Sequence, residues 1–199
     1  MNLACLDLEG VLVPEIWIRV AEATGIEELR LTTRDVSDYD VLMQHRITTL
    51  AEHGLGLSLI QKVIAEMGPL PGAREFLDEL RQDFQVVILS DTFYEFAMPL
   101  MAQLGYPTLF CHRLLVSEDR LVGYQLRQPD SKRAAVRAFH ELNYQVVASG
   151  DSYNDTAMLA EADAGILFRP PANVVEEFPQ FPVTTDYAEL HQAFLSALS

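Results

Sequence analysis

Apolar runs of strand length recur at Leu3–Leu8, Val86–Leu89, Val146–Ala148 and Gly165–Phe168. Between them apolar positions follow helical spacing over Ala73–Gln82, Phe93–Leu104 and Ser131–Leu142, the first of these opening after Pro71-Gly72. Strands alternating with helices predict right-handed crossovers, and hence an α/β protein with a doubly wound parallel sheet. Leu114–Val116 and Leu121–Tyr124 flank the polar stretch Ser117–Arg120 and predict a hairpin inserted into that alternation. Pro170–Pro182 is proline-rich, but Val174, Val175, Phe178 and Phe181 within it predict a packed connection; Tyr187–Leu198 reads as a closing helix.

The segment Glu15–Met67 breaks the alternation. It carries helical patterns at Ile16–Thr24, Tyr39–His53 and Ser58–Met67 with no convincing strand, and ends at Gly68-Pro69-Leu70-Pro71-Gly72. The expected organisation is a core of residues 1–13 and 71–199 with a small helical cap, residues 14–70, inserted after the first strand. A lid is one use of such an insertion; plain cover for one sheet face is the other.

Composition narrows the function. A chain of 199 residues with 49% hydrophobic content can build one core, or a core plus a small inserted domain. A net charge of −15 and a pI near 4.6 repel nucleic acid and anionic lipid alike, so neither partner is expected. A small anionic substrate would need local positive charge, which a divalent cation and a few placed Lys or Arg side chains supply. No run reaches the length of a membrane span, no basic leader precedes the first strand, and Cys5 and Cys111 form no Cys-x-x-Cys pair. A cytoplasmic protein with reduced thiols is the expectation, with a homo-oligomer left open.

Candidate chemistry gathers at strand ends. Asp7-Leu8-Glu9 closes the run Leu3-Ala4-Cys5-Leu6, and Val146-Val147-Ala148-Ser149 opens onto Gly150-Asp151-Ser152-Tyr153-Asn154-Asp155. In an open parallel sheet these ends share one rim, where acids remote in sequence converge on one site. An aspartate there, Asp7, is a fair nucleophile toward phosphorus once a cation orients it. Glu9, two residues along an extended chain, projects to the same side and is placed to donate a proton and then activate water. Ser90 ends its strand, with Asp91 and Thr92 forming a helix start whose hydroxyl and amides can bind a phosphoryl oxygen. Lys132, opening a helix after Pro129-Asp130-Ser131, offers charge to the same group. Asp151 is the second carboxylate for a hard cation such as Mg2+, Asp155 can hold one of its waters, and Asn154 can donate to substrate or cap a helix Asp155–Glu161. Taken singly these residues read as turns, caps and solvated charges; their combination favours catalysis.

This constellation resembles the haloacid dehalogenase superfamily. The first motif, usually Asp-x-Asp-x-Thr or Val, stands as Asp7-Leu8-Glu9-Gly10-Val11, the second as Ser90, the third as Lys132, and the fourth as Gly150-Asp151-Ser152-Tyr153-Asn154-Asp155. The resemblance implies a Rossmann-like core and a magnesium ion held by Asp7, the backbone carbonyl of Glu9 and Asp151. Within the superfamily the chain is most similar to phosphoserine phosphatases. Glu15 stands near their acid for the substrate ammonium, and Met43-Gln44-His45-Arg46-Ile47-Thr48-Thr49-Leu50 resembles the cap segment carrying their carboxylate-binding arginine, here Arg46. Two departures matter. Glu9 replaces the usual second Asp, and Ser90-Asp91-Thr92 replaces Ser-Gly-Gly, as in the bifunctional branch that passes the phosphoryl group from phosphoserine to homoserine. Another small phosphate ester remains an alternative substrate, and a receiver-like phospho-aspartate switch an alternative class. Receivers, however, place their phosphoacceptor in mid-chain without an acid two residues on.

Overall fold

A computed structural model of the chain describes residues 1–32, 35, 36 and 38–197, which leaves Leu198 of the expected closing helix outside the described residues. In chain order the elements are β1 (Asn2–Leu6), α1 (Ile16–Thr24), a 3-10 turn (Glu27–Arg30), α2 (Tyr39–Glu52), α3 (Leu57–Met67), α4 (Ala73–Leu80), β2 (Gln85–Phe93), α5 (Tyr94–Met101), β3 (Thr108–Ser117), β4 (Arg120–Gln125), α6 (Ser131–Glu141), β5 (Gln145–Gly150), a 3-10 turn (Tyr153–Asp155), α7 (Thr156–Glu161), β6 (Ala164–Phe168), α8 (Ala172–Glu177), β7 (Val183–Thr184) and α9 (Tyr187–Ser196). The strands form one sheet in the order β4-β3-β2-β1-β5-β6-β7. The order reverses at β1, which pairs in parallel with both β2 and β5. That reversal puts the crevice of a doubly wound sheet beside the residues following β1.

β1 is apolar from Leu3 to Leu6 because helices cover both of its faces. Ala4 and Leu6 join one buried cluster with Leu8, while Leu3 and Cys5 join the other with Val146 and Ala148. Successive side chains of a strand point to opposite faces, so a single run feeds two cores. Among the described residues no helix is long and apolar enough to cross a membrane.

Two expectations are corrected. Ser90-Asp91-Thr92 is not a helix start: β2 runs on through it to Phe93, and α5 begins at Tyr94. The cause is Phe93, which is buried edge-on against Phe96 and pairs with His112 of β3 across a register shift. The hairpin is not a separate insertion either, since β3 first runs parallel to β2 and only from Arg113 pairs antiparallel with β4, making the sheet mixed. The connection after Pro170 is packed as expected, with Val174 and Phe181 buried, and it holds the short helix α8 before the edge strand β7.

Among the described residues the helices α1, α2 and α3 follow β1 without an intervening strand, and the β3–β4 hairpin grips two of them. At its turn the Asp119 carbonyl accepts from Leu57 N–H at 2.7 Å, and the Asp119 carboxylate accepts from Ser58 N–H at 2.8 Å and its hydroxyl at 2.7 Å, capping α3 from outside the helix. Tyr124 of β4 donates to Asp40 of α2, and its ring meets that of Tyr39 edge-on. These contacts seat the helical segment over the rim.

Candidate active site

Asp7 follows β1 directly and is tied to the neighbouring strand by its N–H, which donates to the Ser149 carbonyl at 2.9 Å. Its Oδ1 accepts from Leu8 N–H at 2.8 Å and lies 2.9 Å from Lys132 Nζ. Lys132, the second residue of α6, is buried and also meets Asp155 at 2.7 Å and Asp91 at 3.7 Å. Burial opposes the lysine's charge, but Asp155, Asp7 and Asp91 outweigh it and raise its pKa above the usual value. Asp7 moves up as well: burial, Asp155 and Asp151 disfavour its ionised form, against the pull of Lys132.

Carboxylate oxygens of Asp7, Asp151 and Asp155 lie within 4.8 Å of one another. They do not have the same freedom. Asp155 is fully buried, with Oδ1 taken by Lys132 and Oδ2 accepting from Asp151 N–H (3.0 Å), Ser152 N–H (3.1 Å) and Ser152 Oγ (3.2 Å). It braces the turn that presents Asp151, and the Ser152–Asp155 capping box, with no part for Asn154, closes that turn. Two glycines make the approach possible. A Cβ on Gly10, whose φ is +78°, would lie 2.5 Å from the Asp151 carboxylate, and one on Gly150 would lie 2.2 Å from Asp155 Cγ. Three carboxylates, Asp7, Asp91 and Asp155, thus surround one ammonium, and Asp151 joins Asp7 and Asp155, a set of oxygen donors with surplus negative charge that fits a hard dication.

Ser90 is buried, and its hydroxyl oxygen accepts from Thr92 N–H at 3.2 Å, leaving the hydroxyl proton to donate. The Asp91 carboxylate is held from several sides. Ser131 Oγ donates to Oδ1 at 3.2 Å, His112 Nε2 lies 3.5 Å from the same oxygen, and the Tyr39 hydroxyl donates to the Asp91 carbonyl at 3.2 Å. Burial would raise the Asp91 pKa, yet Lys132, His112 and Ser131 together hold it down at about 2.

The helical segment contributes further residues to the site. Glu9 accepts from Ile16 N–H, at the start of α1, at 2.8 Å. Burial and the adjacent Glu15 push its carboxyl up to about 8, against that hydrogen bond and Arg46. Arg46 of α2 is buried, with its guanidinium carbon 4.5 Å from the Trp17 ring centre and one terminal nitrogen donating to the Leu31 carbonyl at 2.8 Å. Its Nε has no hydrogen-bond partner among the described residues. Burial lowers its pKa to about 10, so it keeps its charge at neutral pH, helped by Glu9, Tyr39 and Glu15. A cavity of about 980 Å³ is lined by Asp7, Ser90, Lys132 and Asp151 together with Glu15 and Arg46.

Residues 1–163 match the model of the haloacid dehalogenase-like hydrolases. The chain belongs to that family. As a haloacid dehalogenase-like hydrolase it is an enzyme, and the receiver-like alternative falls away. It is 64% identical over 200 residues to the phosphoserine phosphatase ThrH of Pseudomonas aeruginosa, covering 100% of this chain and 98% of that one. It is also 64% identical over 198 residues to a phosphoserine phosphatase of Pseudomonas syringae pv. tomato, covering 99% of this chain and 84% of that one. In structure it is similar to the phosphoserine phosphatase of T. onnurineus, with a TM-score of 0.73, 26% identity and coverage of 97% and 94% of the two chains.

In this haloacid dehalogenase-like hydrolase the fold brings Asp7, Glu9, Glu15, Arg46, Ser90, Asp91, Thr92, Lys132, Asp151 and Asn154 onto one cavity, with Asp155 buried behind it. Arg46 is no surface charge, whereas Glu15 and Asn154 are exposed at the wall. His112, Tyr39 and Trp17 also line the cavity, and the sequence reading assigned none of them to the site. Their types gave little signal, because a lone histidine or aromatic within an apolar segment reads as core.

Proposed function

We propose that this enzyme is a magnesium-dependent phosphoserine phosphatase that works through an aspartyl-phosphate on Asp7 and also transfers the phosphoryl group to homoserine, with residues 14–70 acting as a cap over a core of 1–13 and 71–199. The observation that carries the substrate is the presence of Glu15 and buried Arg46 in the cavity that Asp7, Ser90 and Lys132 also line. An acid and an arginine hold an amino acid by its ammonium and carboxylate while its phosphoryl group lies against Asp7. The names of the 64% identical relatives support the same substrate.

The Asp7 carboxylate attacks phosphorus in line, the bond from phosphorus to the serine oxygen breaks, and Glu9 gives that oxygen its proton. Ser90 donates to a phosphoryl oxygen, and Lys132 balances charge on the Asp7 side. Asp7, the Glu9 carbonyl and Asp151 would hold magnesium, which when bound would add to the neutralisation of the phosphoryl oxygens. In the second half Glu9 takes a proton from water or from the homoserine hydroxyl as its oxygen attacks phosphorus, and the Asp7 carboxylate leaves. A cap gripped by the hairpin restricts water and favours an alcohol seated in its place.

Phosphate release from L-phosphoserine with Mg2+, run with and without homoserine while phosphohomoserine is followed by mass spectrometry, tests this reading; both products are expected. Hydrolysis of an aryl phosphate with neither product would leave the Asp7 chemistry standing and remove the amino acid from the assignment.

Arg46→Ala is expected to lower kcat/KM for phosphoserine by about a hundredfold, the range for truncating one partner of a buried charge pair. Its effect on an aryl phosphate, which has no carboxylate to hold, should be far smaller. Equal losses on both substrates would count against the carboxylate role.

The raised Glu9 pKa makes a second prediction. Below about 8 its carboxyl is protonated and able to serve the leaving oxygen, and above that value the acid form is lost. Hence kcat/KM, which reports the free enzyme, should fall as pH rises through about 8. Glu9→Gln should turn over slowly and lack this alkaline limb. An identical limb in wild type and variant would assign it to another group.

A further inference from the structure

We propose that His112 is a positioning residue for phosphoryl transfer: by holding Asp91 it keeps the Lys132 ammonium directed at Asp7. This rests on the reading of Asp7 as the phosphoryl acceptor but not on the choice of phosphoserine.

His112 is buried on β3, where it pairs with Phe93 at the end of β2. Its Nδ1 accepts from the Arg127 backbone N–H at 3.1 Å, so Nδ1 carries a lone pair and the neutral ring has its proton on Nε2. That N–H faces Asp91 Oδ1 at 3.5 Å, and Ser131 Oγ donates to the same oxygen at 3.2 Å. The other oxygen of Asp91 faces Lys132 at 3.7 Å, whereas Asp7 and Asp155 lie at 2.9 and 2.7 Å from the ammonium.

The inequality of those distances is the key. Asp91 is a carboxylate close enough to compete for Lys132, and its far oxygen is held by donors from two other elements. Without His112, Ser131 alone restrains that oxygen, and Asp91 can close on the ammonium and draw it from Asp7. The strand placement explains why a histidine serves here. The ring spans from the Arg127 backbone to Asp91, using one nitrogen as acceptor and the other as donor.

The experiment is a double-mutant cycle with an aryl phosphate as substrate. His112→Phe in the wild-type background should lower kcat by about tenfold with KM changed by less than about threefold, and His112→Gln, which keeps a donor, should restore most of the rate. In an Asp91→Asn background His112→Phe should change kcat by less than about twofold, because the residue through which it acts has lost its charge. The same tenfold loss in both backgrounds would overturn the proposal, since a purely structural histidine would behave that way.

A readout without turnover decides the link separately. Nitrogen-15 spectra of the imidazole should show the Nε2-protonated tautomer, with the Nε2 signal moving in Asp91→Asn; an Nδ1-protonated ring would overturn the proposal even if His112→Phe failed to fold. Failure of the Asp7 reading would look different. In that case Asp7→Asn would retain aryl phosphate turnover while the His112 spectrum was as expected.

Discussion

Replacing Asp7 with asparagine is expected to lower phosphoryl turnover by at least about a thousandfold while the protein stays folded. The amide oxygen can keep both contacts now made by Asp7 Oδ1, from Leu8 N–H and from Lys132, so the local geometry survives. What disappears is an anionic nucleophile. Stability should move in the opposite direction to activity when divalent metal is removed. Burial, Asp155 and Asp151 raise the Asp7 pKa, so the folded state holds this proton more tightly than the unfolded chain does. Stability therefore falls as pH rises from the unfolded carboxyl value toward the raised folded one, a penalty that the neutral amide does not carry. In EDTA, thermal unfolding of Asp7→Asn should equal or exceed wild type at neutral pH, and the difference should narrow toward pH 4. Intact-protein mass spectrometry of wild type quenched during turnover should show one added phosphoryl group, absent from the variant. Undiminished phosphate release from Asp7→Asn would remove it as nucleophile.

The alternation of strands and helices was legible because each core strand is a short, nearly unbroken apolar run, and Asp7 and Asp151 could be placed on one rim because each follows such a run. β3 was largely illegible. Its parallel half, Thr108-Leu109-Phe110-Cys111-His112, mixes polar and apolar residues and is followed by Arg113, so the expected hairpin began only at Leu114. That is also why His112 was missed: its partners, Asp91 and the Arg127 backbone, lie far along the chain in either direction and meet only when β3 docks beside β2. Ser90-Asp91-Thr92 misled for a local reason. These residues favour helix starts, but burial of Phe93 and contacts to Asp91 from α2, α6 and β3 outweigh that preference. Arg46 was ambiguous on an amphipathic helix, and only packing against Trp17 settles which way it faces.

Lys132→Met is expected to combine loss of turnover with a large loss of stability. Methionine fills a similar unbranched volume, so the change isolates the charge. Wild type sets the ammonium against Asp7 and Asp155 within 2.9 Å, with all three groups buried, and Asp91 lies just beyond. Removing one partner of a buried ion pair leaves an uncompensated charge and destabilises by about 3–5 kcal/mol. The lysine's pKa is raised above its ordinary value, so its contribution is complete at neutral pH and would fade only in strong alkali. The variant should therefore show its full deficit at pH 7, and regain part of it as pH falls and the orphaned carboxyls take up protons. Mg2+ should stabilise Lys132→Met more than wild type, because a dication at Asp7 and Asp151 neutralises part of the same surplus. Lys132→Arg should not restore activity, since a planar guanidinium cannot occupy the space of a compact ammonium between close carboxylates. If Lys132→Met unfolds at the wild-type temperature in EDTA at pH 7, the carboxylates around it are already protonated, and the surplus negative charge that argues for a metal at this site is absent.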